Sequence, residues 1–424
     1  MRLALLTLAL TLTACKGDDP ADGPDPGREG EGEGEGEGEG EGDGGPETWT
    51  FAVFMNGDND LETYVTHDLN ELEIVGSSEY ATVVVQADRV DGYDETDGDW
   101  TGTRRYRMIG DDDLGTVSSE VLEDLGELNM GDPEVLSEFL LWADETYPSD
   151  HLALVLWDHG DGWMIRSARG PGAVSWDETS GDEISLAEGG LASALTEIVE
   201  RRGPLDIVAF DACNMASWEA AHYLAPYADY LVASEATVGS EGLQYGAALK
   251  LLKEVVPTSG AELAENLAYW PVKQGGEWTY SAFDLAKMGD LDAAVDALAL
   301  AALGSEQGMS AFTDARVGAR AVDLHWHDWY VDVGDLAVVA SASDVPEFAA
   351  AGQQLSAALE AATVYAGGNE PLTWNSGMYI FMYTKDSDYL EAYVHGAAAS
   401  WSQDTHWDDA LVEVAASEGL ALTY

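Results

Sequence analysis

The chain has 424 residues, with 80 acidic against 18 basic side chains, a formal net charge of -62 and 46% hydrophobic residues. That length and apolar content suit one large α/β domain plus a smaller one, or two domains. So acidic a surface repels nucleic acid and anionic membranes, excludes phosphate-backbone binding, and favours cations and basic peptides as partners. The same charge also arises as a solubility or high-salt adaptation.

Met1 to Ala14 has a positive start, an apolar run and small residues at its end, the pattern of a secretory signal. It is too short to span a membrane as a helix. Leu12-Thr-Ala-Cys15 resembles the bacterial lipobox. The resemblance implies that Cys15 is lipidated and becomes the mature N-terminus; an ordinary signal with an incidental cysteine is the plainer alternative. Lys16 to Pro46 is almost entirely Gly, Asp, Glu and Pro, with a run of Glu-Gly pairs from Glu29 to Gly42, a self-repelling tether with nothing to bury. The expected location is the bacterial cell envelope, outside the cytoplasm and held to the membrane only through the N-terminal lipid. The outer membrane or cell surface is favoured.

The folded part begins near Thr48. Trp49 to Met55 reads as a strand, Asn56 to Asp60 as a turn rich in oxygen ligands, and Leu61 to Val75 as a helix. Thr82 to Gln86 is the next strand, Asp88 to Gly102 an acidic loop, and Thr103 to Ile109 an edge strand. Asp132-Pro133 predicts a capped helix start running to Tyr147. His151 to Trp157 is an apolar strand that ends in Asp158-His159-Gly160. A segment to Ser185 with little periodicity follows, then a helix from Gly189 to Arg202. Ile207 to Phe210 is a strand running into Asp211-Ala212-Cys213, with a helix predicted from Asn214 to Leu224, and Ala228 to Ser234 another strand. Alternation of this kind implies a parallel sheet with helices on both faces. Beyond Ala261 the pattern is more helical, apart from strands at Trp278 to Leu285 and Gly377 to Met382. That part reads either as a second subdomain or as an extension of the first sheet.

The chain has only two cysteines, Cys15 and Cys213. With Cys15 lipidated, Cys213 has no disulfide partner in the chain, and a lone thiol in an oxidising compartment calls for a reason. Chemistry supplies one. In an open parallel sheet, ligands and reactive groups gather at the C-terminal strand edge, where His159 and Cys213 both fall. A histidine within hydrogen-bond reach can take the thiol proton. A helix beginning at Cys213 would add its dipole in favour of the thiolate. The backbone N–H groups of Gly160 and Cys213 are candidates for holding an oxyanion. Taken singly, Cys213 reads as a buried structural cysteine and His159 as a satisfied strand-end histidine; the pairing at one edge points to catalysis.

His159-Gly-Asp-Gly-Trp163 after one apolar strand and Asp211-Ala-Cys-Asn-Met215 after another resemble the clostripain family of cysteine peptidases, in the caspase-like clan. His159 lies about 50 residues upstream of the cysteine, the caspase-type spacing. Met55 to Glu62, Asn129 to Pro133 and Asp229 to Glu235 support the likeness, which is strongest from Trp49 to Tyr245. The resemblance implies an α/β caspase-like sandwich, with a mainly parallel central sheet and helices on both faces, plus a C-terminal extension or subdomain. On that reading residues 1–14 are the signal, 15–47 the lipidated cysteine and tether, 48–290 the catalytic domain and 291–424 a helical or mixed subdomain. It implies an endopeptidase with a Cys213–His159 dyad acting on proteins or peptides after Arg or Lys, with Asp211 lining the primary pocket as partner for the basic side chain.

Family members can be activated by self-cleavage between histidine and cysteine. Arg166 and Arg169 are the candidate positions. Asp161 stands where many members have Gly. No cofactor enters that chemistry, though clostripain-like enzymes can depend on calcium. Asp58 and Asp60, with Asn59 and Glu62, are candidate calcium ligands, and Asp88, Asp91, Asp94, Asp97 and Asp99 a second acidic set. The His325-Trp-His327 pair is not read as a metal site. The alternative function is a catalytically silent surface protein of the same fold that binds basic peptides or calcium.

Overall fold

The structure is a computed structural model and describes residues 47–163, 174–253, 258–322 and 330–420. The signal, Cys15, the tether, Arg166, Arg169, His325 and His327 lie outside the described residues.

The strands in chain order are β1 (Trp49–Gly57), β2 (Ala81–Arg89), β3 (Gly102–Arg107), β4 (Val121–Gly126), β5 (His151–Trp157), β6 (Val174–Asp177), β7 (Asp182–Ile184), β8 (Leu205–Asp211), β9 (Ala228–Ala233), β10 (Thr279–Asp284), β11 (Tyr330–Asp332), β12 (Thr363–Gly368) and β13 (Tyr379–Phe381). Nine of them form one sheet in the order β12-β10-β9-β8-β5-β1-β2-β3-β4. The centre, from β9 through β8, β5 and β1 to β2, is parallel. Both flanks are antiparallel: β10 and β12 on one side, β3 and β4 on the other. A mainly parallel sheet needs cover on both faces, and its central strands are accordingly buried and largely apolar.

Side chains of a strand alternate between faces. Ala52, Phe54, Leu152, Leu154, Leu156, Val208 and Phe210 enter one core, with helices α2 (Pro133–Thr146) and α3 (Gly190–Arg202). Phe51, Val53, Met55, Ala153, Val155, Ile207 and Ala209 enter the other, under helix α1 (Glu62–Val75) and the helix Gly260–Trp270. Asp132 caps α2 by accepting a bond from Glu134 N, with proline at the helix start, as the sequence predicts.

Three expectations are corrected. The strand at Thr103–Ile109 is not an edge: β4 pairs outside it. β4 is Val-Leu-Glu-Asp-Leu-Gly and largely exposed, so it lacks a buried strand's pattern. The helix expected from Asn214 begins only at Trp218, capped by Ser217, and forms α4 (Trp218–Leu224). Asn214 takes a left-handed φ of 58°, which a helix interior does not tolerate. Finally, the boundary expected at 290/291 falls inside the helix Met288–Leu303. Residues beyond it return as β12 to the main sheet, and residues 45–424 form one compact unit. No described helix is long and apolar enough to cross a membrane.

Candidate active site

β5 and β8 are parallel neighbours with Trp157 paired to Asp211, so the loops that follow them leave the sheet side by side. His159 stands on the first loop and Cys213 on the second, and both line one cavity of about 290 Å³, near the lower end of the roughly 300–1,000 Å³ usual for ligand pockets. The contact between the loops is close: a Cβ at Gly160 would lie 2.5 Å from the Cys213 carbonyl oxygen. Only glycine fits there. The two strand ends chosen from sequence are thus brought together, with Gly160 against the Cys213 backbone.

Cys213 sits in a tight turn rather than at a helix start, so the helix-dipole argument for its thiolate does not hold. The turn is fixed by Asn214, whose N–H donates to Ala236 O (3.1 Å) and whose side chain donates to Glu235 O (2.9 Å). Tyr379 Oη donates to Asn214 O at 2.6 Å. The Val238 N–H points at the Cys213 sulfur from 3.3 Å, and the Val238 carbonyl oxygen lies 3.8 Å from the same sulfur.

His159 is about one-third exposed, and its Nε2 is 2.8 Å from Asp60 Oδ1. A carboxylate there keeps the ring hydrogen on Nε2 and leaves Nδ1 as the basic nitrogen. Trp176 flanks the ring, with centroids 6.2 Å apart. Behind it, buried Asp158 accepts from Asn59 Nδ2 (2.8 Å) and from Trp176 N. Asp60 is therefore a partner of the histidine. Asp58, two residues earlier, is fully buried and turns elsewhere, so the expected calcium pair is split.

Asp211 lies in the cavity wall, buried, and its carboxylate is held by neutral donors: Tyr245 Oη (2.8 Å) and Leu243 N (3.2 Å) on Oδ2, and Tyr280 Oη (3.3 Å) on Oδ1. Gly242, at φ 51°, passes so close that a Cβ would lie 2.7 Å from both carboxylate oxygens. A second buried acid, Asp68 of α1, lines the same cavity and accepts from Trp157 Nε1 at 2.6 Å. Burial first, and then the charge of Asp68, pushes the Asp211 carboxyl up to about 8. Burial likewise raises Asp68. None of the described residues lining the cavity is Lys or Arg. The site is a thiol and an imidazole at the mouth of a pocket with two acids, one of which, Asp68, is also paired with His67 Nδ1 at 2.9 Å.

Sequence reading missed Asp68, though it left a signal. Leu61, Val65, Asp68 and Leu72 follow helical spacing, so Asp68 interrupts an apolar stripe. Asp94 of the second acidic set and Glu62 of the first both pair with buried Arg89, which gives them a structural role. Asp161 lies beside the Tyr330 hydroxyl at 3.5 Å.

Clostripain of Hathewaya histolytica is 28% identical over 215 residues, an alignment covering 46% of this chain and 40% of that protein. The chain thus aligns with less than half of that relative's length. Among solved structures, a secreted C11 cysteine protease of Bacteroides thetaiotaomicron, bound to an irreversible peptide inhibitor, superposes with a TM-score of 0.64 at 19% identity. That match covers 85% of this chain and 99% of the other. An inactive zymogen C11 protease of Parabacteroides distasonis gives 0.62 at 18% identity, over 86% and 98%. These likenesses establish a common fold. The model of the clostripain family, Peptidase_C11, matches residues 53–413. With that match across nearly all of the described sheet and both loops of the site, the chain belongs to the clostripain family of cysteine peptidases and has its caspase-like α/β fold.

Proposed function

We propose that this chain is an extracytoplasmic cysteine endopeptidase that cuts after Arg or Lys. The observation that carries the reading is the single cavity holding Cys213, His159, Asp211 and Asp68. A guanidinium or ammonium entering it meets two carboxylates, one already oriented by Tyr245, Tyr280 and Leu243 N. An incoming cation restores the charge on Asp211 and gains a short, charge-assisted bond. An acidic or neutral side chain gains neither.

In the proposed route His159 Nδ1 takes the Cys213 proton, and the thiolate attacks the carbonyl carbon of the bond to be cut. The carbonyl electron pair moves onto oxygen, where the N–H groups of Gly160 and Cys213 hold it. Collapse expels the amine, which leaves with the proton from His159, and a thioester to Cys213 remains. A water that gives its proton to His159 then hydrolyses the thioester and frees the thiol. Asp60 orients the imidazole and stabilises its cationic form. Bond making and proton transfer draw on Cys213 and His159.

The signal at 1–14 and the lipobox-like Leu12 to Cys15 support export and lipid anchoring at Cys15, with the tether carrying the peptidase away from the membrane. Palmitate labelling that disappears in Cys15→Ala supports the anchor; unchanged labelling removes it. For the activity, matched fluorogenic peptides ending in Arg, Lys, Asn or Asp are offered to wild type and Cys213→Ala. Cleavage after Arg or Lys that is lost in the variant is expected. Cleavage only after Asn or Asp keeps the dyad and overturns the role of Asp211. No cleavage and no thiol alkylation favours a binding protein.

A further inference from the structure

β13 lies far from Cys213 in the chain and close to it in space. Hydrogen bonds lay it along the residues that follow the nucleophile. Tyr379 N donates to Ala216 O (3.0 Å), Tyr379 Oη to Asn214 O (2.6 Å) and Phe381 N to Glu219 Oε1 (3.0 Å). Just before the strand, Gly377 N donates to Glu235 Oε2 at 3.3 Å, and the carbonyl of that same glutamate accepts from the Asn214 side chain. On its other side β13 is held by β11, in antiparallel register with Asp332 opposite Tyr379. Tyr330 of β11 packs its ring on that of Tyr379, with centroids 4.3 Å apart, and both residues are fully buried.

The Tyr379 hydroxyl stands where the two catalytic loops meet. On one side it donates to the carbonyl of Asn214, the residue next to Cys213, which is held at a φ of 58°. That left-handed conformation carries a cost for any residue with a side chain, and it persists where the surroundings over-determine it. On the other side is Gly162 of the His159 loop, at a φ of 68°. A Cβ on Gly162 would collide with the Tyr379 hydroxyl and lie 3.2 Å from Asn214 O. One hydroxyl thus abuts the histidine loop and bonds the cysteine loop. Without it the buried Asn214 carbonyl loses a donor, and a gap opens between the loops.

We propose that Tyr379 is a positioning residue for the peptidase reaction: acting through Gly162 and Asn214, its hydroxyl sets the spacing of the loops that carry His159 and Cys213. The inference rests on the reading that those two residues form the dyad. It makes the C-terminal part of the chain a working part of the active site. Proton transfer and attack both depend on that spacing, because reacting groups must be held in a near-attack arrangement.

The test compares full-length wild type, Tyr379→Phe and Tyr223→Phe on a fluorogenic peptide ending in Arg. Tyr379→Phe keeps the ring and removes only the hydroxyl. It is expected to lower kcat about tenfold, within the roughly 100-fold that a misplacement of about 1 Å can cost, and to leave KM unchanged. Alkylation of Cys213 by iodoacetamide at neutral pH, read without substrate, is expected to slow several-fold, since thiolate formation needs the histidine within reach. Tyr223→Phe is the control for lost stability alone. Its buried hydroxyl accepts from Ala192 N at 2.7 Å, between α4 and α3. A lower melting temperature is expected there, with kcat and alkylation as in wild type. The proposal is overturned if Tyr379→Phe keeps wild-type kcat and alkylation, if it changes KM alone, or if Tyr223→Phe loses kcat to the same extent. Should wild type cleave no peptide, the peptidase reading fails on its own and alkylation decides: a wild-type rate in Tyr379→Phe overturns the positioning role, and a slowed rate upholds it.

Discussion

Two groups of acids, one in the pocket and one formed by Asp58, Glu127 and Asp177, are built differently. In the pocket, Asp211 is held by two tyrosine hydroxyls and a backbone N–H, while Asp68 is held by the Trp157 indole and by His67 Nδ1 at 2.9 Å. In the cluster, Asp58 is hydrogen-bonded to Thr179, and Asp177 beside it accepts from the backbone N–H groups of Met130 and Ser180. Neutral donors let a carboxylate survive burial while its cation is absent, at the cost of a raised pKa. That suits a pocket filled and emptied at every turnover.

The largest expected break comes from Asp211→Asn. Removing one partner of a buried, hydrogen-bonded charge pair costs about 2–5 kcal/mol, so kcat/KM for an Arg peptide should fall roughly 30- to 4,000-fold. Alkylation of Cys213 by a small neutral reagent should be unchanged, since the dyad is untouched. An equal loss in both readouts would mean that Asp211 supports the nucleophile and not the substrate.

Next in size is pH. The free pocket holds Asp211 with its carboxyl raised to about 8 by burial and by Asp68. Below that value it is largely protonated, so kcat/KM for an Arg peptide should climb with pH, up to tenfold per unit, and level off above about 8. Neutral alkylation of Cys213 should not share that limb. The stability sign is opposite. A carboxyl whose folded pKa exceeds its unfolded value binds more protons when folded, so its contribution is favourable at low pH and is lost as pH rises from about 4 towards 8. Asp211→Asn should therefore melt above wild type at pH 8 by a wider margin than at pH 4, measured calorimetrically.

Asp68→Asn removes a charge one step further from the substrate. About tenfold in kcat/KM is expected, consistent with a partly screened interaction of roughly 1–2 kcal/mol, together with a downward move of the pH limb as Asp211 loses its repelling neighbour. The smallest effect is expected at exposed Asp60. Asp60→Asn should lower kcat a few-fold and leave KM unchanged, as the imidazole loses the group that orients it. A change in KM alone would assign Asp60 to substrate binding.

The parallel core was legible because buried strands such as His151 to Trp157 and Leu205 to Asp211 are largely apolar, and each leads to a reactive side chain two residues past its end. Two residues fixed the reading of the site: a lone cysteine and a histidine at matching strand ends. What stayed hidden has physical causes. β4 is acidic and exposed, so it shows no strand pattern. The start of α4 was placed early because the left-handed turn at Asn214 depends on bonds to Ala236 and Glu235, over twenty residues away. Asp68 was visible only as a polar break in a helix stripe. Glu127 and Asp177 carry no local mark at all, since only the fold brings them to Asp58. β12 was missed as a member of the sheet because Thr-Val-Tyr-Ala-Gly-Gly is short and half-buried.

The central claim is that Cys213 cuts bonds whose preceding side chain is a cation held by Asp211. The most direct measurement compares the four fluorogenic peptides on wild type, Cys213→Ala and Asp211→Asn. The account predicts cleavage after Arg or Lys in wild type, none after Asn or Asp, and a loss of about 10⁴-fold or more in Cys213→Ala. In Asp211→Asn it predicts a selective loss with an intact, alkylatable thiol. Wild-type cleavage that is indifferent to the charge of that residue, or that survives in Cys213→Ala, would contradict it.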